Sequence, residues 1–181
     1  MMIQTFTVLS IAALLSSATP ATCAPAADVN VVHVSGSGVD GLNSAIIHSK
    51  VTSATGLVQK STEIIDLHGD LEGRVLYHVT TVIDFVKGTL VNTGDEVYSG
   101  TISGSDPVMI HDDQFRFDVN LNTGEESGDV YLVDPIAGPK VRCTLHVVGT
   151  GATPEGNPTF TYTGDCRFQN RSGAGVQQRL P

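Results

Sequence analysis

Five side chains that can carry protons or bind metals recur at alternate positions in HGDLEGRVLYH: His68, Asp70, Glu72, Arg74 and His78, interrupted only by Leu76. In an extended strand, alternate residues share a face. If that face lined a confined cavity, burial would raise a carboxyl pKa and a neighbouring guanidinium would lower it. Glu72, Arg74 and His78 would then form a trio able to transfer a proton or polarise a carbonyl. These three are the candidate catalytic residues. The odd positions Val75, Tyr77, Val79, Thr81, Ile83 and Phe85 support the competing reading, in which the odd face is the core and the even face is a solvated wall. Leu76 and Val82 on the even face keep both readings open.

His68, Asp70 and Glu72 also offer nitrogen and oxygen ligands suited to zinc, iron or manganese. No His-x-His pair accompanies them, and Gly69 and Gly73 more simply mark a bend or bulge, so no metal is expected. His111, Asp112 and Asp113 adjoin one another. Neighbours on a strand point to opposite faces and cannot all converge, which predicts a turn or strand-edge role for them. His146 is expected on the surface or in a lumen, without chemistry. No nucleophile elbow, phosphate loop or calcium loop is present, and no cofactor is implied.

The elements that position these residues are strands. Phe115, Phe117, Val119 and Leu121 alternate with Gln114, Arg116, Asp118 and Asn120, a half-buried strand pattern, and no segment sustains a helical period. Strands are expected near 29–35, 44–51, 57–67, 70–86, 88–92, 96–103, 108–120, 129–134, 140–149 and 158–168. Turn signals separate them: SGSG at 35–38, NTGD at 92–95, SGSDP at 103–107, NTGEESGD at 122–129 and PIAGP at 135–139. Many strands with short connections make an antiparallel meander whose exposed edges are removed by closure. The expected fold is therefore all-β, an antiparallel closed barrel of about eight strands, with a Greek-key sandwich as the alternative.

The chain has 181 residues, 10 Lys and Arg against 19 Asp and Glu, and a formal charge of −9. No cluster of basic residues exists to neutralise phosphates, which argues against nucleic acid or an anionic membrane as partner. Residues 1–24 carry an apolar run and no charged side chain and read as a signal peptide, too short to span a bilayer. The barrel domain is placed at 25–169 and a loose polar tail at 170–181, containing the sequon Asn170, Arg171, Ser172. The expected location is secreted, extracellular or periplasmic, with no membrane insertion after signal removal. Oligomeric state is left open.

Two cysteines follow the leader, Cys143 and Cys166, equidistant from the centre of the turn-rich GATPEGNP. Counting outward from that turn pairs Val147 with Tyr162, Leu145 with Gly164, and Cys143 with Cys166 on one apolar face. An exported protein would oxidise such a pair to a disulfide worth about 3 kcal/mol. Two buried thiols are the alternative. A zinc site would need further paired ligands.

GDLEG at 69–73, SGTISG at 99–104 and FTYTGDCRF at 160–168 resemble stretches of small barrels in the allene oxide cyclase and wider calycin-like group. Thr163, Gly164, Asp165, Cys166, Arg167 and Phe168 match in part the Thr-Gly-Gly-x-Gly-x-Phe stretch of the cyclases, without its doubled glycine. The resemblance implies a barrel that holds a flexible hydrophobic molecule, as cyclases and isomerases of the group do. The expected function is binding of a small apolar or amphipathic molecule. The rival is a cyclase or isomerase acting on a polyene or polyketide-like substrate through Glu72, Arg74 and His78. A third possibility is an extracellular structural module with a filled core.

Overall fold

A computed structural model describes residues 29–169. The expected signal peptide at 1–24, the tail at 170–181 and the sequon at Asn170 lie outside the described residues. Ten strands follow in order: β1 (Val29–Asp40), β2 (Ile46–Thr52), β3 (Gly56–Gly69), β4 (Leu71–Asp84), β5 (Thr89–Ile102), β6 (Val108–Asn120), β7 (Glu125–Leu132), β8 (Asp134–Ala137), β9 (Val141–Ala152) and β10 (Pro158–Gln169). A single 3-10 turn at Leu42–Ser44 separates β1 from β2.

Antiparallel pairing runs β1-β10-β9-β7-β6-β5-β4-β3, and β1 pairs back onto β3. The result is a closed eight-stranded antiparallel barrel, not a sandwich. β2 extends along β3 where β1 leaves it, and β8 pairs with β6. No helix among the described residues is long and apolar enough to cross a membrane.

Parity decides what faces inward. Val75, Tyr77 and Val79 are buried, while Glu72, Leu76 and His78 of the same strand point outward. The register of β9 and β10 is the one read from the sequence: Val147 opposite Tyr162, Leu145 opposite Gly164 and Cys143 opposite Cys166. Cys143 and Cys166 form a disulfide across that ladder, with Cα atoms 4.1 Å apart, fully enclosed by the core.

One end of the barrel is packed solid. Tyr98, Tyr162, Leu71, Ile102, Ile110, Leu132 and Val141 are almost wholly buried there, each contributing about 2 kcal/mol by removal from water. The Tyr162 hydroxyl accepts a hydrogen bond from the Leu71 amide at 2.7 Å, tying β10 to the β3–β4 turn. Asp70 in that turn accepts from the Ser35 amide at 2.8 Å, and its carbonyl accepts from the Ser103 amide at 2.6 Å. The GDLEG turn thus fastens three segments over the closed end.

Several elements differ from the expectation for identifiable reasons. SGSG is not a turn: Gly36 and Gly38 lie within β1, which continues to Asp40. A Cβ at Gly36 would meet the Tyr162 hydroxyl, and one at Gly38 the Phe160 ring, so these glycines admit aromatic side chains against the strand. NTGD is likewise mid-strand, and the two strands expected at 88–92 and 96–103 are one, β5. NTGEESGD turns only in its first part, since β7 begins at Glu125, and PIAGP contributes β8 before its turn at Gly138. Phe85 lies beyond the end of β4 and is half exposed.

Candidate functional site

The opposite end of the barrel is open. Inward residues there line a cavity of about 490 Å³ that reaches down to the packed end, a volume within the range of small-molecule sites. Leu57, Ile83, Leu90, Phe117, Val119, Val130, Val147 and Phe160 provide most of its wall. Leu42, Lys50 and Leu121 stand among the residues near the mouth. Asn43 fastens the 3-10 turn to the β9–β10 turn, its amide donating to Asn157 Oδ1 at 3.1 Å and its side chain to the Glu155 carbonyl at 2.7 Å.

Deep in this apolar cup lies a polar cluster. Glu63, Tyr77, Glu96 and Asp112 occupy one cross-strand row over four adjacent strands, β3 to β6. All four are buried. Tyr77 Oη lies 2.7 Å from Glu63 Oε2 and 2.7 Å from Asp40 Oδ2, the latter carried in by the last residue of β1. Ser61 donates to the other oxygen of Glu63. The Tyr77 ring packs edge-on against Phe115 at a centroid distance of 5.8 Å.

One phenol proton cannot serve two carboxylates. Burial raises Asp40 to about 6, with the neighbouring Glu63 charge adding to the rise and the Tyr77 hydrogen bond opposing it. Tyr77 Oη can donate to either carboxyl, and protonation of Asp40 below that pH relieves the competition between them. The phenol itself is pushed far above its ordinary value by burial and by the two adjacent carboxylates, so it serves as a neutral donor.

Glu96 stands apart from this relay. Burial, assisted by the Asp112 charge, raises it to about 8, and no hydrogen bond to it offsets that rise among the described residues. Its carboxyl borders the cavity. The outer oxygen of Asp40, Oδ1, and Asn92 Oδ1 are also buried without a partner.

Asp112 has a different task. The register between β5 and β6 shifts between Gly94 and Glu96, placing an extra residue in β6 at Asp113 and Gln114. That bulge reverses the parity of the strand, so Val108, Ile110 and Asp112 face inward before it and Phe115 after it. Asp112 accepts from the Gln114 amide at 2.8 Å and the Tyr131 amide at 2.6 Å, satisfying backbone groups the bulge leaves unpaired. The expected turn or strand-edge role for residues 111–113 is corrected accordingly: they lie mid-strand, and the two backbone hydrogen bonds hold the buried carboxylate.

The residues singled out in the opening stretch lie outside the barrel. Glu72 pairs with His68 at 3.1 Å, Arg74 with Asp66 at 2.6 Å and His78 with Asp95 at 3.2 Å. Their side chains are 61%, 71% and 58% exposed, each with a different partner, and the three do not converge. Asp70 is engaged with Ser35 and does not join His68 and Glu72. His146 sits on the outer wall, 3.0 Å from Asp129. No three His, Cys, Asp or Glu side chains among the described residues assemble as metal ligands.

Sequence reasoning placed Tyr77 on the core face but did not find Asp40, Glu63 or Glu96. Their signal was parity, since each shares it with inward apolar neighbours: Glu63 with Ile65 and Leu67, Glu96 with Tyr98 and Ile102. That signal was masked because Val58, Ile64, Leu76 and Val82 give the outer face apolar residues as well. Compared with protein-family models, curated proteins and solved structures, the chain matches none of them.

Proposed function

We propose that this protein is a secreted carrier of the calycin-like kind, binding a small apolar or amphipathic molecule in its barrel. The observation that carries this reading is the cup itself: a cavity of about 490 Å³, open at one end, with an apolar wall and a few polar groups near its base. Sites of that composition bury most of an apolar ligand and orient it by a small number of polar contacts. A filled-core structural module would instead pack this end as tightly as the other. The buried disulfide supports an oxidising destination.

A second reading, a cyclase or isomerase, draws on the Asp40–Tyr77–Glu63 relay, which holds exchangeable protons inside an apolar site. It would use this relay in place of Glu72, Arg74 and His78.

Native mass spectrometry of the protein from its own host, followed by denaturation, tests the carrier reading. An apolar or amphipathic compound released on unfolding is expected, and Val119→Trp, which fills the cavity wall, should arrive without it. A bare chain that also takes up no apolar fluorescent probe would refute the reading. A released compound chemically altered by the wild type and unaltered by Tyr77→Phe would favour the enzyme.

A further inference from the structure

We propose that the ligand is an amphipathic amine, with its apolar body against the barrel wall and its ammonium head among Asp40, Glu96 and Tyr77. The proposal rests on the carrier reading and names its ligand class.

Two independent observations meet here. The first is that the buried side-chain atoms without a partner among the described residues, Asp40 Oδ1 and Asn92 Oδ1, are acceptors on residues that line the cup. Glu96 is only 4% exposed, borders the cavity and has no hydrogen-bond partner among the described residues. Asp40 Oδ1 is buried and unpartnered as well. A buried acceptor without a donor costs free energy that a bound donor would recover. A bound donor would satisfy Asp40 Oδ1, and a cation beside Glu96 would favour its ionised form over the proton it otherwise keeps to about pH 8.

The second observation is charge. Asp40, Glu63 and Glu96 all project into the cup from β1, β3 and β5, and no basic side chain accompanies them at that depth. Two basic side chains, Lys50 and Arg116, border the cavity: Lys50 is exposed on β2 near the mouth, and both hydrogen bonds of Arg116 go to Asp118. A neutral donor such as an alcohol would satisfy one acceptor. An ammonium carries three donors and a full positive charge, and charge-assisted hydrogen bonds are about twice as strong as neutral ones. The protein's net charge of −9 favours approach of a cation and disfavours a fatty acid. Among the described residues, no three His, Cys, Asp or Glu side chains come together as a metal-ligand set.

Titration calorimetry of the full, disulfide-bonded protein with decylammonium, decan-1-ol and decanoate, each below its micelle concentration, separates the possibilities. Decylammonium is expected to bind about tenfold or more tightly than decanol, with decanoate weakest. Glu96→Gln and Asp40→Asn should each reduce that preference to about threefold or less. Equal or tighter binding of decanol or decanoate, or an amine preference that survives both substitutions, would overturn the amine assignment and leave the carrier reading standing. Absence of binding by all three probes would overturn both.

Discussion

Tyr77 Oη lies 2.7 Å from Glu63 Oε2 on the neighbouring strand, and the same hydroxyl faces Asp40 Oδ2 at an equal distance. Two carboxyl groups from β1 and β3 are thereby bridged through a side chain of β4. Removing the hydroxyl leaves both buried acids without that donor. Tyr77→Phe should therefore destabilise the fold by about 1–3 kcal/mol. Urea denaturation should show the larger loss at pH 8, where Asp40 is ionised, and a smaller one at pH 5.

Glu96 makes stability depend on pH in a definite direction. Its folded-state pKa is about 8 against an ordinary value of 4.5, so the fold binds this proton more tightly than the unfolded chain does. The associated stabilisation is full below pH 4.5 and is lost as the pH rises towards 8. Glu96→Gln, which cannot ionise, should escape that loss. Thermal melts of the ligand-free protein should find the variant more stable than the parent above pH 8, by a few kcal/mol, with the advantage shrinking towards pH 5.

Substitutions on the outer wall should have small effects. Glu72, Arg74 and His78 form solvent-exposed pairs with His68, Asp66 and Asp95, and such pairs contribute about 0–1 kcal/mol. Glu72→Gln, Arg74→Gln and His78→Gln should each leave ligand affinity within about twofold of the parent and stability within about 0.5 kcal/mol. A large loss of binding or turnover in any of them would return that exposed face to consideration as a functional surface.

The disulfide joins residues separated by 23 positions within a hairpin whose two strands already pair along their length. Replacing both cysteines, as in C143A/C166A, should lower stability by about 3 kcal/mol without altering the register. The loss should appear as a lower urea midpoint with unchanged far-ultraviolet circular dichroism.

Strand identity was legible in the chain because alternation along a single strand is a local property. Phe115, Phe117 and Val119, for example, declare a half-buried strand without reference to any partner. The β9–β10 register was also local, since one short turn and two cysteines determine which residues face each other. Glycine was less legible. Gly36 and Gly38 look like a turn in sequence and are instead sites where Tyr162 and Phe160, more than 120 residues away, lie against β1.

Read alone, the chain specifies an all-β fold, the expectation of closure into about eight strands, and the pairing of Cys143 with Cys166. Tertiary structure alone decided which face of each strand is inside. The outer wall carries a row of valines, Val51, Val58, Val82 and Val91, paired across four strands, so hydrophobicity does not distinguish the two faces. Closure does: it places one parity of every strand within a common lumen, and the bulge in β6 switches that parity midway so that Asp112 and Phe115 both point inward. Asp40, Glu63, Tyr77 and Glu96 become a site because four strands curve around a shared axis, a relationship no single strand contains.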